Sequence, residues 1–290
     1  MTGEFRPGAG MVLADAVPGE PLIVFKDVHL GFDQGDILKG ISFEVGPGET
    51  KALLGESGSG KTLVMKLAAG LLRPDSGHIW VMGREVSDMK ESELLEFRRH
   101  LGFVFQEGAL FDSMSVADNV SFRLREEGTA EDEVESHVRE ALRFVEMEAA
   151  YDQFPADLSG GMRRRVSIAR ALVDKPAVVF YDSPTAGLDP VTSQTIIQLI
   201  LRGRDAQGVT SILATHRVQD IFGLARYRFD ASTGRVAPTA ARGDQPNSNV
   251  AQAPTNVLVI RGGTVYFEDS AEQMLKSTDA YLKQFLAAAA

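Results

Sequence analysis

One stretch of the chain combines residue types and spacing suited to binding phosphate. Residues 55–62 read GESGSGKT, which matches GxxxxGK[ST], a loop whose backbone N–H groups surround a polyphosphate. In this pattern the lysine reaches the β and γ phosphates and the hydroxyl binds Mg²⁺, while glycine is needed because a Cβ would block the anion. The predicted polyphosphate and magnesium site comprises Gly55, Glu56, Ser57, Gly58, Ser59, Gly60, Lys61 and Thr62.

Apolar runs on both sides place this loop in the context that it requires. Residues 50–54 suit a buried strand, and residues 63–72 show a helical pattern without proline. A loop between a strand and a helix directs N–H groups and the positive end of the helix dipole toward one point. The sequence therefore favours a phosphate site. The competing interpretation is a glycine-rich turn before a core helix.

Two further stretches are candidates for the same chemistry. Asp182 closes an apolar strand predicted over residues 177–182, where a carboxylate can hold the metal ion of a phosphate-loop protein; alternatively, it only caps the strand. In the stretch LSGGM, the small residues Ser159, Gly160 and Gly161 open a predicted helix. Small residues at a helix N-terminus are a second way to bind an anion with backbone N–H groups.

The pattern of the whole chain predicts an α/β protein with helical and flexible segments. The first two strand-like runs are separated by the turn-rich GFDQGD, residues 31–36. One predicted helical face carries Val134, Val138, Ala141, Leu142 and Val145. We predict a flexible tail over residues 1–21, a core over 22–235 with a helical part at about 107–170, a flexible insertion over 236–256, and a C-terminal hairpin with two short helices over 257–290.

Composition narrows the functional classes. A net charge of −10 and a pI near 5.1 leave no excess of lysine and arginine for binding nucleic acid. The absence of cysteine excludes disulfides and thiolate metal sites. No run approaches the roughly 18 apolar residues that span a bilayer. We therefore expect a soluble, cytoplasmic protein that acts at a membrane only by docking onto another protein.

The motifs together resemble those of ATP-binding cassette (ABC) ATPases. LSGGM is similar to the signature of that family, and the order of phosphate loop, Gln106, LSGGM, Asp182, Asp189 and His216 is similar to theirs over about residues 22–227. The resemblance implies an α/β fold of the P-loop NTPase (RecA-like) type, with an antiparallel β subdomain and a helical insert. It also implies ATP and Mg²⁺ as ligands.

The same resemblance implies a role for each matched residue. ATP would lie between two copies of the chain, held by residues 55–62 of one copy and by Ser159, Gly160, Gly161 and Met162 of the other. Thr62, Gln106 and Asp182 would bind Mg²⁺, and Gln106 would sense the γ-phosphate. Phe32 would stack on adenine, Asp189 would cross the dimer interface, and His216 would hold the γ-phosphate and the attacking water.

Purely structural roles remain open as alternatives for some of these residues. Gln106 could be a polar strand terminus, and Phe32 could be a core residue. Three successive arginines, Arg163, Arg164 and Arg165, are expected to form a solvated helix face.

One position departs from the family pattern. The family has a glutamate directly after the aspartate that corresponds to Asp182, and here that position is Ser183. Losing a positioned general base typically costs about 10²–10⁴ in rate. We expect ATP binding and dimerisation to be intact, and hydrolysis to be slow or supported mainly by His216. Alternatively, a catalytically complete partner subunit supplies turnover, or the sequence was altered to trap ATP.

In the family that these motifs resemble, the segment after Gln106 receives the membrane subunit, so its sequence should indicate the transport system. Residues 107–126 and the closing DAYLKQFL, residues 279–286, resemble the ATPases of the Mla and Mce lipid-transport systems. This resemblance implies a membrane permease docking near 107–126, MCE-domain and STAS-like regulatory subunits, and a place on the cytoplasmic face of the inner membrane. The insertion over 236–256 departs from the family pattern. Open alternatives are a polar-solute importer, a non-transport ABC protein acting on DNA or the ribosome, and a non-hydrolysing regulatory nucleotide binder.

Overall fold

The computed structural model describes residues 20–33, 35–239 and 255–287. Up to the end of the helical part, its main elements are β1 (Ile23–Phe32), β2 (Gly35–Val45), β3 (Thr50–Leu54), α1 (Lys61–Ala68), β4 (Ser76–Val81), β5 (Arg84–Glu85), α2 (Glu91–Arg98), β6 (Leu101–Val104), α3 (Val116–Glu126), α4 (Glu131–Phe144) and α5 (Gly160–Leu172). The remaining elements are β7 (Val178–Asp182), α6 (Pro190–Gln207), β8 (Thr210–Ala214), α7 (Val218–Arg226), β9 (Tyr227–Asp230), β10 (Arg235–Pro238), β11 (Thr255–Arg261), β12 (Thr264–Ser270), α8 (Ala271–Lys276) and α9 (Ala280–Ala287).

The central sheet of the described residues has the strand order β12-β11-β3-β8-β7-β6. The five strands from β11 to β6 are parallel, and β12 is antiparallel to β11. Every residue of β3, β7 and β8 is buried, as expected for parallel strands covered on both faces. The loops that follow the carboxyl ends of β3, β6, β7 and β8 therefore meet at one edge, where open α/β sheets bind ligands.

An antiparallel sheet with the order β2-β1-β4-β5 packs beside the central sheet. Phe25 and Phe43 stack with ring centroids 4.6 Å apart, and both belong to a core that also includes Val64 and Met65 of α1. The N–H of Lys39 in β2 donates to the carbonyl of Gly263 at 2.7 Å. These contacts hold the antiparallel sheet against α1 and against the turn between β11 and β12.

The helices α3, α4 and α5 form a second hydrophobic core. The predicted apolar face of α4 is confirmed, since all five of its residues are buried. This packing sets the position of α5, the helix that begins within LSGGM.

Some predicted boundaries are wrong. The turn predicted over residues 31–36 is shorter, because Gly31 pairs with Asp36 and Phe32 pairs with Gly35. Both ends of the insertion predicted over residues 236–256 are strands, β10 and β11. Val236 is partly buried against the second core, and buried Thr255 accepts a hydrogen bond from Arg204 at 2.7 Å.

Two predicted flexible segments lie largely beyond the described structure. Residues 240–254 of the insertion and 1–19 of the N-terminal tail fall outside the described residues. Within the described ranges, no helix has the length and apolar character needed to cross a membrane.

Candidate functional site

The phosphate loop joins β3 to α1 and holds Lys61 over its own backbone. The Lys61 ammonium donates to the carbonyls of Gly55 and Glu56, each at 2.8 Å, and to Ser59 Oγ at 3.4 Å. Burial lowers the pKa of Lys61 from 10.5, and Asp182 partly offsets this effect. The Lys61 amine is therefore held by the loop at the edge of the sheet where β3 ends.

Glycine is required where the loop enters α1. Gly60 has a φ of 97°, and a Cβ at this position would lie 2.6 Å from Leu38 Cδ2. Gly60 is also the N-cap of α1; no side chain caps the helix there, and its first turn contains no acidic residue. The helix N-terminus is therefore left available to an anion.

Thr62 and Asp182 bring two oxygen ligands together from different parts of the chain. The Thr62 hydroxyl donates to Asp182 Oδ2 at 2.9 Å, and the Asp182 side chain is buried at the end of β7. Hydroxyl and carboxylate oxygens are the ligand types that Mg²⁺ prefers. The residues present therefore fit a magnesium ion beside the phosphate loop.

Gln106 lies exposed in a turn directly after β6. The Gly108 N–H closes this turn by donating to the Phe105 carbonyl at 2.9 Å. The turn stands at the same edge of the sheet as the phosphate loop, because β6 is parallel to β7.

Ser183 is held at the adjoining ends of β7 and β8. Its N–H donates to the Ala214 carbonyl at 2.9 Å, and its hydroxyl lies 3.3 Å from Asp182 Oδ1. The residue is half-buried and has a φ of 47°, a left-handed conformation that is uncommon outside glycine. Serine thus occupies a well-defined backbone position next to the candidate metal ligand.

His216 is exposed directly beyond β8. A hydrogen-bond network of residues that no sequence motif predicts lies next to His216 in the chain. Buried Asp220 accepts hydrogen bonds from Thr185 at 2.6 Å and Thr215 at 2.8 Å. Burial raises the pKa of Asp220, and these two hydrogen bonds oppose that shift. The network ties the loop after Ser183 to the loop that carries His216, and no sequence pattern marks it.

The C-terminal helix α9 also reaches the site. The Tyr281 hydroxyl lies 3.3 Å from Glu56 Oε1 in the phosphate loop. An open cavity of about 460 Å³ is lined by residues that include Glu56, His216, Gln284 and Phe285. No pattern in the sequence predicts that the C-terminal residues lie beside the phosphate loop.

Phe32 ends β1 with 52% of its surface exposed. It lines an open cavity of about 390 Å³ together with Asp33, Asp36 and Ile37. The alternative of a core residue is therefore wrong, and the exposed ring is free to stack on a base.

Ser159 and Gly160 are exposed at the start of α5. Ser159 caps the helix by accepting a hydrogen bond from the Met162 N–H at 3.2 Å. Gly161 is buried, and a Cβ there would collide with Thr192 of α6. The small residues of LSGGM thus divide into an exposed pair at the helix end and one that permits close helix packing.

Asp189 is exposed and caps α6. It accepts hydrogen bonds from the N–H groups of Val191 and Thr192, each at 3.0 Å. The hydrogen bond from the Thr192 hydroxyl, together with these backbone bonds, lowers the pKa of Asp189. The carboxylate therefore has a structural role within its own chain.

The expected solvated face of three arginines is wrong for Arg164. Its side chain is buried, with a residue exposure of 5%, and it donates to the Phe105 carbonyl. Arg163 and Arg165 are half-buried. The helical pattern of the sequence did not show that the middle arginine faces the core.

This fold is that of an ABC nucleotide-binding cassette, the P-loop NTPase type with a mixed sheet and helices. Residues 38–186, more than half of the chain, match the family model described as ABC transporter. The chain therefore belongs to the ABC transporter family and resembles its ATP-binding subunits.

Two curated relatives and one solved structure illustrate the relationship. The intermembrane phospholipid transport system ATP-binding protein MlaF of Haemophilus influenzae is 33% identical over 89% of this chain and 88% of its own length. The methionine import ATP-binding protein MetN of Rhizobium johnstonii is 35% identical over 77% of this chain and 62% of its own length. The dimeric post-hydrolysis structure of the ATP-binding cassette MJ0796 with ADP and Pi has a TM-score of 0.69 and 26% identity, covering 86% of this chain and 98% of that one.

Proposed function

We propose that two copies of this protein bind two MgATP molecules between them in a head-to-tail dimer. The observation that carries the proposal is the hydrogen bond of 2.9 Å between Thr62 and Asp182, beside the Lys61 ammonium. A cation, from Lys61, and two oxygen ligands, from Thr62 and Asp182, are thus close together at one edge of the sheet. Residues 55–62 would bind the phosphates, and Phe32 would stack on the adenine.

The partner copy would complete each site with its LSGGM segment. Ser159 and Gly160 are exposed at the N-terminus of α5, a helix of 13 residues. Their N–H groups and the helix dipole favour an anion, so they suit a phosphate held by the other chain. Gly161 and Met162 support this helix end, and exposed Asp189 would lie at the interface.

The magnesium ion would be held by Thr62 and Asp182, with Gln106 approaching from its turn. When bound, the ion neutralises charge that develops on the transferring phosphoryl group. Asp182 is fixed for this role by burial and by its bond to the Thr62 hydroxyl.

Hydrolysis would be slow because Ser183 replaces the glutamate that polarises water in this family. A serine hydroxyl has no useful basicity near neutral pH. His216 is exposed two residues beyond β8, the strand that pairs with β7, and it would orient the attacking water and the γ-phosphate. The buried Asp220 network would keep that loop in place.

We further propose that ATP drives transport of lipid through a membrane permease that docks near residues 107–126. Phe111 and Phe122 are 43% and 37% exposed, and their ring centroids are 5.0 Å apart. An exposed aromatic pair is suited to a protein interface.

The phospholipid assignment is supported by the likeness to MlaF over 89% of the chain. MCE-domain and STAS-like subunits and a place on the cytoplasmic face of the inner membrane follow the same assignment.

Two alternatives are supported by specific observations. The likeness to MetN, at 35% identity, supports an importer of polar solutes. Ser183 supports a regulatory subunit that binds ATP and does not turn it over.

Complementation between two defective variants tests the shared site. Lys61→Ala damages the phosphate loop, and Ser159→Arg blocks the opposite surface, so each should fail to dimerise with MgATP in light-scattering chromatography. A mixture contains one intact shared site per mixed dimer and should recover dimer. If the wild type dimerises and the mixture of variants forms no dimer, the head-to-tail arrangement is contradicted.

Purification of the tagged chain from membranes tests the cargo. A co-purified permease whose bound lipid is enriched over the surrounding membrane supports the phospholipid assignment. Turnover stimulated by a polar solute, with no lipid enrichment, would support the importer instead.

A further inference from the structure

Two arginines of α5 contact the turn that carries Gln106. Arg164 donates to the Phe105 carbonyl. Arg170 donates to the carbonyls of Gly108 at 2.9 Å and Ala109 at 2.8 Å. One helix therefore holds three carbonyls within five successive residues, on both sides of Gln106.

The Arg164 contact reinforces the bond that closes the turn. The Phe105 carbonyl accepts from both the Gly108 N–H and the Arg164 guanidinium. Gly108 has a φ of 82°, and a Cβ there would lie 3.6 Å from the Arg163 carbonyl of α5. The turn and the helix are thus in close contact through backbone as well as side chains.

Burial makes the Arg164 contact a strong one. Its residue exposure is 5%. Burial lowers the pKa of Arg164, while the charges of Asp182 and Glu107 favour its protonated form. Hydrogen bonds from a charged donor are about twice as strong as neutral ones, and a buried charge that loses its partner is costly. The turn is therefore held in one position relative to α5.

Arg170 adds a second point of attachment with a defined orientation. Its planar guanidinium forms two hydrogen bonds, a geometry that lysine does not reproduce. It also lies 5.8 Å from the centroid of the Phe111 ring. The contact thus extends from the Gln106 turn into the segment proposed to meet the permease.

We propose that Arg164 and Arg170 are positioning residues that make the Gln106 turn and the LSGGM end of α5 move as one body. The inference rests on the proposed function. Gln106 serves the nucleotide of its own chain, and LSGGM serves the nucleotide of the partner, so the arginines couple the two ATP sites of the dimer. Both arginines donate to backbone carbonyls, so their role is to position Gln106 and LSGGM.

The test compares Arg164→Gln with Arg164→Lys and with the control Arg165→Gln. Arg165 lies next in the same helix but approaches the carbonyls of Val145 and Glu146, each at 3.4 Å. The monomer–dimer dissociation constant is measured by sedimentation at an MgATP concentration that saturates each variant. Amide hydrogen exchange is followed in residues 105–110.

We expect Arg164→Gln to raise the dimer dissociation constant at least tenfold and to speed exchange of residues 105–110 at least tenfold. Arg164→Lys keeps a charged donor and should recover part of both effects, and Arg165→Gln should match the wild type. Equal values for Arg164→Gln and Arg165→Gln would overturn the inference. If Arg164→Gln does not fold, Arg170→Gln replaces it and must show both effects. A wild type that does not dimerise with MgATP would instead refute the proposed function.

Discussion

Restoring a carboxylate at position 183 tests whether its absence limits hydrolysis. Ser183 is held by the hydrogen bond of its N–H to the Ala214 carbonyl at 2.9 Å. Its φ of 47° is a cost already present with serine. Ser183→Glu therefore adds little backbone strain, and the new carboxylate should extend from a fixed point beside Asp182.

Two opposing contributions set the expected size of the effect. A positioned general base typically contributes about 10²–10⁴ in rate, or about 4 kcal/mol at the middle of that range. The Ser183 hydroxyl is 3.3 Å from Asp182 Oδ1, and a longer glutamate would place its charge further away. Two like charges about 5 Å apart repel by about 1 kcal/mol in bulk water and by about 3 kcal/mol in a partly buried site. The remaining gain of about 2 kcal/mol corresponds to a rise in kcat of about 30-fold.

Phosphate release at saturating MgATP measures this change. Ser183→Gln is the matched control, because it has nearly the same size and no basic oxygen. The reasoning is refuted if Ser183→Glu turns over no faster than Ser183→Gln. That result would mean that His216 or a partner subunit supplies the rate-limiting chemistry.

Three further predictions concern ATP binding and folding. Phe32→Ala should weaken ATP affinity about 5–150-fold, because base–aromatic stacking contributes about 1–3 kcal/mol; Leu95→Ala, at a residue that is 62% exposed, is the control in a fluorescence titration. The pKa of Lys61 is lowered below 10.5, so the free protein loses this positive charge at a lower pH than an ordinary lysine would. ATP affinity should fall as pH rises toward the lowered pKa of Lys61. An equal fall in Lys61→Met would contradict a role for the Lys61 charge in binding ATP. Gly60→Ala should reduce the free energy of unfolding by about 1–3 kcal/mol in denaturant titrations because of its positive φ; an unchanged midpoint would argue against the backbone conformation described.

The sequence alone determined the family and most of the elements that carry its motifs. GESGSGKT and LSGGM are local patterns whose spacing depends on backbone geometry, so they can be identified without the fold. The buried strand that ends at Asp182 is a continuous apolar run before that aspartate, and the buried strand that ends at Leu54 is apolar over its last three residues. The apolar face of α4 follows from helical periodicity. Each of these features depends on residues that are neighbours in the chain.

Only the tertiary structure decided which distant residues share an environment. Whether Arg164 is solvated or buried depends on the turn after β6, which is 59 residues away in the sequence. Likewise, Asp220 meets Thr185 only because β7 and β8 are adjacent, and Tyr281 reaches Glu56 only after α9 has packed. The ends of the predicted insertion are strands because β10 pairs with β9 and β11 pairs with β3, which leaves Val236 partly buried and Thr255 buried. Burial and pairing between distant segments leave no periodic pattern in the chain, and for that reason these contacts could not be predicted from it.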